Sequence, residues 1–169
     1  MGSRTRFRMP LGAIDQHHLR ASIGYVELGM LEEAKAELEA MGSSCRHLPE
    51  VLRIWVTIYQ QLGKWESMEV VTRQLVESNP AEPAHFVDLA YATRRARSLT
   101  EAHAVLTLAA TRHPNDATIH FNLACCEAQL GNLAKAESRL KRATALNRKF
   151  YRLALDDPDL EPFWKFFAG

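Results

Sequence analysis

Apolar residues recur along the chain at the spacing of one helix face, and each stretch ends at a short breaker. Residues three and four positions apart share a face of an α-helix, so this spacing predicts helices. Two such stretches are Ile14, Leu19, Ile23 and Val26, and then Val51, Leu52, Trp55, Ile58, Tyr59 and Leu62. The chain has no Asn-Gly or Asp-Gly hairpin turn and no sustained alternation of apolar and polar residues. The pattern therefore predicts an all-α protein.

The breakers share one period. Three of these breakers are the dipeptide Leu-Gly, with glycine at positions 29, 63 and 131, which are 34 and then 68 residues apart. The position 34 residues after Gly63, where the period would place another glycine, is Arg97. Pro80 and Pro114 are also 34 residues apart, and Ala34, Ala102 and Ala136 each lie five residues beyond a turn position. A fixed period of this length indicates an array of helix–turn–helix repeats.

Each marker has a physical role in such a unit. Glycine at the turn suits a helix end that needs a left-handed residue. Alanine at the helix crossing lets the two axes approach closely, and proline ends the second helix. Arg97 departs from this pattern, and we expect it to cost up to ~1 kcal/mol if its φ has to be positive.

The 34-residue unit with these markers resembles the tetratricopeptide repeat (TPR) family. The resemblance covers about four fifths of the chain and implies units at 15–48, 49–82, 83–116 and 117–150. The third unit carries Phe86, Leu89, Ala90, Ala102, Leu106, Ala109 and Pro114. The implied fold is a right-handed α-solenoid of four units with a C-terminal capping helix. From Asn122 onward the sequence is also similar to uncharacterised bacterial TPR proteins, which suggests a bacterial source.

The two ends differ from the repeats. Residues 1–14 contain Arg4, Arg6 and Arg8 and are predicted to be a flexible basic tail. Residues 151–169 are predicted to be a capping helix that covers the last repeat, with Asp157 as its N-cap and Pro158 as its first residue.

The family geometry also implies a concave groove lined by the first helix of each unit. The groove residues carried over in this way are Arg53, Thr57, Gln60, Val87, Tyr91, Arg94, Arg95, Phe121, Asn122 and Cys125. Arginines bind carboxylates or backbone carbonyls, and aromatic rings give rigid apolar contacts. The groove is therefore expected to bind a protein or peptide partner. A two-carboxylate clamp of the kind that grips chaperone C-termini is not expected, because Asp88 stands where a donor is needed.

Composition narrows the function further. The formal net charge is +1, which disfavours a nucleic-acid binder, and no run of 18 apolar residues is present to insert into a membrane. Three cysteines, two of them adjacent, argue against a disulfide framework and suit reduced thiols in the cytoplasm. The chain contains no metal-binding, nucleophile or phosphate-loop motif. We therefore expect no enzyme activity, no cofactor and no metal.

Two functions follow from these observations. The first is a non-catalytic interaction module, an adaptor or an assembly chaperone, that takes a partner's peptide or helix in the groove. The alternative is a self-associating scaffold, and thus a homo-oligomer. Its contacts would be the apolar N-terminal end or the aromatic C-terminal residues Phe163, Trp164, Phe166 and Phe167.

Overall fold

The structure, a computed structural model, describes residues 11–168 and the side chains of residues 11–165. All regular secondary structure in that range is helical, with no strand, so the predicted all-α class is confirmed. Arg4, Arg6 and Arg8 lie outside the described residues. The chain divides between Gly63 and Lys64 into two compact units.

The first unit contains helices α1 (Ala13–Glu27), α2 (Leu31–Ala40) and α3 (Pro49–Leu62). Helix α3 begins at a proline, whose fixed φ suits the first helical position. Leu38, Val51 and Ile58 are fully buried and form the centre of the core that joins α2 to α3. Ala34 is also fully buried, as expected for a small residue where α1 and α2 cross.

The second unit contains seven helices and a short 3-10 turn. They are α4 (Trp65–Ser78), α5 (Pro83–Ala96), α6 (Leu99–Arg112), α7 (Ala117–Gln129), α8 (Leu133–Leu146), α9 (Lys149–Asp156), the turn Pro158–Leu160 and α10 (Glu161–Ala168). Helices α5 and α6 form one helical hairpin, and α7 and α8 form the next. Ala102 and Ala136 are buried at these two crossings, as the repeat pattern predicts.

Polar residues set the start of two of these helices. The hydroxyl of Ser98 accepts a hydrogen bond of 3.1 Å from the backbone N–H of Glu101 at the start of α6. The carboxylate of Asp116 accepts one of 2.9 Å from the N–H of Ile119 at the start of α7. Each contact satisfies a helix N–H group that has no partner within its own helix.

The turn glycines have the conformation that the sequence predicts. Gly29, Gly63 and Gly131 have φ angles of 73°, 66° and 78°, and no other described residue has a positive φ. Arg97 ends α5 with a φ of −129°. The expected penalty for a left-handed arginine therefore does not arise, because the third turn is built without that conformation.

Arg97 also has a partner that a glycine would lack. Its Nε atom lies 2.7 Å and 3.0 Å from the two carboxylate oxygens of Glu69 on α4, which is buried. Arg73 donates a further hydrogen bond of 2.9 Å to the same carboxylate. Burial alone would raise the pKa of Glu69, but these hydrogen bonds outweigh it and hold the pKa below its usual value.

We therefore expect Arg97→Gly to lower the thermal midpoint of unfolding, even though it restores the glycine of the repeat pattern. The change removes a charged donor from a buried carboxylate and gains nothing at a turn whose φ is already negative. Thermal unfolding followed by circular dichroism measures the effect, and Arg97→Lys is the control that keeps the charge. A midpoint raised by Arg97→Gly would contradict this interpretation.

The C-terminal region differs from the single helix predicted for residues 151–169. Helix α9 begins at Lys149 and is followed by the 3-10 turn and by α10. The break falls at Asp157, which precedes a proline and is extended, with φ −80° and ψ 117°, because a residue before proline is disfavoured in the helical region. The Asp157 carboxylate accepts a hydrogen bond of 2.9 Å from the N–H of Asp159 and so caps the turn.

Candidate partner-binding site

A cavity of about 310 Å³ lies in the second unit, between α5, α6, α7 and the C-terminal turn. Helix α5 contributes Ala90, Tyr91, Arg94 and Arg95; α6 contributes Ala102 and Leu106; α7 contributes Asn122, Cys125 and Cys126; and the C-terminal segment contributes Asp157 and Asp159. Five of the ten groove residues predicted from the sequence line this one cavity. The two acidic residues do not belong to the predicted groove.

Arg94 binds a residue of the chain's own C-terminal turn. Its guanidinium donates two parallel hydrogen bonds to the Asp159 carboxylate, from Nη1 to Oδ2 and from Nη2 to Oδ1, the second at 2.9 Å. The side-chain amide of Gln129 donates one of 2.9 Å to the backbone carbonyl of Asp159. The hydrogen bonds that Arg94 donates to Asp159 raise the pKa of Arg94 above its already high usual value. The pair holds the turn against one side of the cavity.

Arg95 remains at the open rim of the cavity, held over an aromatic ring. Its guanidinium carbon lies 4.7 Å from the centre of the Trp65 ring, within the range of a cation–π contact. Trp65 also packs edge-to-face on Tyr91, with ring centres 5.8 Å apart. Tyr91 and Arg95 are both exposed. These three residues form an oriented cationic and aromatic surface, which we call the rim.

Two cysteines form part of the cavity wall. Cys125 and Cys126 are both buried. Burial raises the pKa of the Cys126 thiol to about 11 and raises that of Cys125 further. A thiol is nucleophilic as its thiolate, so neither cysteine is activated for chemistry at neutral pH.

Thiol titration tests this assignment. At pH 8 we expect a disulfide reagent such as DTNB to react with one thiol of the native chain, Cys45, which is only half-buried. All three thiols should react once the chain is unfolded in denaturant. The Cys45→Ser variant is the control, because it should leave the native protein unreactive. Rapid native reaction of that variant would show that Cys125 or Cys126 is accessible.

Val87 lines a separate, neighbouring cavity of about 240 Å³, which lies at the first turns of α5 and α7. Its other walls include Asp88, Thr118 and the capping carboxylate Asp116. The surface formed by α5 and α7 is therefore acidic near the start of these helices, whereas both arginines lie near the end of α5.

Phe121 is a correction to the predicted groove. Its side chain is buried in the core and packs on Phe150 of α9, with ring centres 4.8 Å apart. The family position places it on the groove, but in this chain Phe150 of α9 packs against the ring. Asn122 lines the cavity and donates a hydrogen bond of 2.9 Å from its side chain to the carbonyl of Thr118. Arg53, Thr57 and Gln60 lie on α3, in the first unit.

The predicted self-association patch is also revised. Phe163 is buried in the core of the second unit. Trp164 is half-buried, and its indole N–H donates a hydrogen bond of 2.7 Å to the carbonyl of Ala154. Both rings are therefore used in packing α10 against its own unit. The side chains of Phe166 and Phe167 lie outside those described.

A second buried carboxylate, after Glu69, belongs to Glu127 near the C-terminal end of α7. Glu127 Oε1 is 2.7 Å from His103 Nε2, and its other oxygen accepts a hydrogen bond of 2.8 Å from the amide of Asn132. Burial raises the pKa of Glu127, but these hydrogen bonds more than compensate and hold it below its usual value. These hydrogen bonds stabilise the buried charge of Glu127, which therefore has a structural role.

The part of the chain that the structure describes contains neither a candidate metal-binding cluster nor a candidate membrane-spanning helix. No group of three or more His, Cys, Asp or Glu side chains there is arranged to hold a metal ion. None of the helices described is both long enough and apolar enough to cross a bilayer.

Part of the sequence matches a known protein family, and the fold is similar to that of solved structures. Residues 94–155 match the family model described as tetratricopeptide repeat. This segment, a little over a third of the chain, is similar to tetratricopeptide repeats. The matched segment begins at Arg94 and runs into α9, and so includes α7, which forms part of the cavity wall. No curated protein matches this sequence.

Several solved structures are similar in fold to most of this chain. MamA 41-end from Desulfovibrio magneticus RS-1 has a TM-score of 0.70 at 19% identity, covering 94% of this chain and 96% of that chain. A thermophilic TPR protein of Thermus thermophilus has a TM-score of 0.62 at 24% identity, covering 91% and 88%. PcrH, in complex with the chaperone binding region of PopD, has a TM-score of 0.51 at 23% identity, covering 70% and 85%. At these identities the similarity shows the fold alone.

Proposed function

We propose that this chain is a non-catalytic protein-interaction module, an adaptor or assembly chaperone, that binds a partner segment at the cavity of the second unit. The observation that carries this proposal is the rim. Arg95 is held over Trp65 beside the exposed ring of Tyr91, at the mouth of a cavity of about 310 Å³. An oriented guanidinium next to an aromatic surface suits a carboxylate and an adjacent apolar side chain.

The fold and the chemistry of the cavity support the same function. PcrH, which has a similar fold, was solved with the chaperone binding region of PopD, so one protein of this shape binds a segment of another. The cavity's two thiols are buried with raised pKa values, so neither supplies a nucleophile. Arg94 already holds Asp159, so Arg95 is the cavity arginine available to a partner carboxylate.

Selection from a phage-displayed peptide library followed by calorimetry tests the proposal. We expect selected peptides to carry an acidic residue, and both Arg95→Glu and Tyr91→Ala to weaken their binding by roughly tenfold or more, about 1.4 kcal/mol. Arg94→Glu is a poor test variant because it also breaks the contact with Asp159.

Arg112→Glu is the matched control. Arg112 is also exposed and lies over an aromatic ring, with its guanidinium carbon 5.6 Å from the centre of Phe86, but it does not line this cavity. Peptide binding that Arg95→Glu and Tyr91→Ala leave unchanged, or that Arg112→Glu weakens equally, would refute the assignment of the site.

A further inference from the structure

Helix α9 exposes an unusual density of large apolar side chains. Phe150 and Ala154 are buried in the core of the second unit. Tyr151, Leu153 and Leu155 are 63%, 50% and 55% exposed. Tyr151 and Leu155 lie four residues apart and form an exposed apolar surface on one side of this eight-residue helix, whereas Leu153 lies on another side.

Tyr151 also borders an apolar cavity of about 210 Å³ between α8, α9 and α10. Its other apolar walls are Leu140, Ala154, Phe163 and Trp164. Leu155 lies one helical turn beyond Tyr151 on the same side of α9, because residues four apart share a face. The cavity together with these two residues, Tyr151 and Leu155, forms a short apolar seam, which we call the α9 seam.

Exposed basic residues of α9 and its N-terminal end border the α9 seam. The segment 148–156 contains Arg148, Lys149 and Arg152 and one acidic residue, Asp156, in a chain whose net charge is +1. Glu137 on α8 forms an ion pair of 2.6 Å with Lys141 at the cavity. Arg148 and Arg152 are exposed, and neither has an ion-pair partner among the described residues.

We propose that the α9 seam binds an amphipathic helix with acidic flanks from another protein. The helix would place one apolar side chain in the cavity and a second against Tyr151 and Leu155, with its acidic residues facing Arg148 and Arg152. Recognition of an amphipathic helix by an apolar groove uses anchors one turn apart, and opposite charges at the border favour one class of partner. This surface is separate from the cavity of the proposed function and does not depend on it.

Two other occupants fit the seam less well. A second copy pairing through the same helix would bring Arg148 and Arg152 towards the same residues of its partner, which like-charge repulsion disfavours. A lipid surface needs a long amphipathic helix with a free apolar face, whereas α9 is only eight residues long and buries Phe150 and Ala154 within the protein.

Two synthetic peptides of roughly 15 residues test this proposal. Both carry leucines at helical spacing; one has glutamate on its flanks and the other has lysine. We expect fluorescence anisotropy to show binding of the glutamate peptide and roughly tenfold or more weaker binding of the lysine peptide. The double variant Arg148→Glu with Arg152→Glu should reverse this preference, since it inverts the charge of the border.

Variants of the apolar residues locate the binding surface. Tyr151→Ser and Leu155→Ser should each weaken the glutamate peptide by roughly tenfold or more, because each removes an anchor of the seam. Leu108→Ser is the matched control, since Leu108 is 49% exposed on α6, away from the α9 seam. All of these side chains are exposed, so the fold should be retained, as circular dichroism would show.

Several outcomes would overturn the proposal. They are equal binding of the two peptides, no binding of the glutamate peptide, or an equal loss of binding in Leu108→Ser. A dimer seen by ultracentrifugation that Leu155→Ser dissociates would assign the seam to a second copy. Cosedimentation with phosphatidylserine vesicles, lost in the Arg148→Glu and Arg152→Glu variant and without peptide binding, would assign it to a membrane.

Discussion

Leu160→Ala is expected to lower the free energy of unfolding of the second unit by about 2–5 kcal/mol. The Leu160 side chain is fully buried and packs in the core cluster that contains Phe121, Ala128 and Phe163. Its truncation removes apolar contacts and leaves a cavity that the surrounding helices fill only in part. Urea unfolding followed by far-ultraviolet circular dichroism measures the change.

Leu155→Ala is the matched control for this prediction. The same substitution five residues earlier truncates a side chain that is 55% exposed, and we expect its effect on stability to be within about 0.5 kcal/mol. Equal unfolding midpoints for the two variants would show that the 3-10 turn is not anchored in the core. The Arg94–Asp159 contact would then be a surface ion pair, which contributes little to stability.

Phe121→Ala is expected to destabilise the same unit by about 3–5 kcal/mol. The ring of Phe121 is buried and packs on Phe150, so its loss opens a cavity between α7 and α9. A residue of the groove surface would behave differently, since its replacement would weaken partner binding and leave stability almost unchanged. The urea midpoint therefore separates the core assignment from the groove assignment.

Tyr91→Ala provides the comparison on the groove side. Tyr91 is 42% exposed at the rim, and its truncation should cost clearly less stability than Phe121→Ala while weakening binding of the selected peptides. If Phe121→Ala unfolded at the same urea concentration as the unaltered chain, the core position of this ring would be wrong.

The proposed binding surface is the part of the molecule that the sequence predicts least completely. The repeat positions assign Tyr91, Arg94 and Arg95 to the groove, and in the structure these residues line one cavity. They do not reveal that Arg94 binds Asp159, which lies 65 residues further along the chain. The local sequence around Asp159 indicates only the start of a helix, and Asp159 does lie in the first turn after the Asp157 cap. No local signal therefore indicates its long-range contact with Arg94.

The C-terminal region shows the same limit. The order Asp157, Pro158 correctly predicts a cap followed by a proline start, because both effects act within a few residues. Which face of the following helix is buried depends on what it packs against. Phe163 and Trp164 pack within their own unit, and the exposed apolar side chains are instead Tyr151, Leu153 and Leu155 on α9.

The sequence by itself determined the helices, their turns and the repeat, because helical periodicity, capping and left-handed glycines depend on residues within one or two turns of one another. The positive φ angles of Gly29, Gly63 and Gly131 follow directly from their spacing. Only the tertiary structure decided which polar groups are hydrogen-bonded to one another and which apolar side chains remain exposed to solvent. Those outcomes depend on contacts such as Arg94–Asp159 and Phe121–Phe150, which join distant parts of the chain.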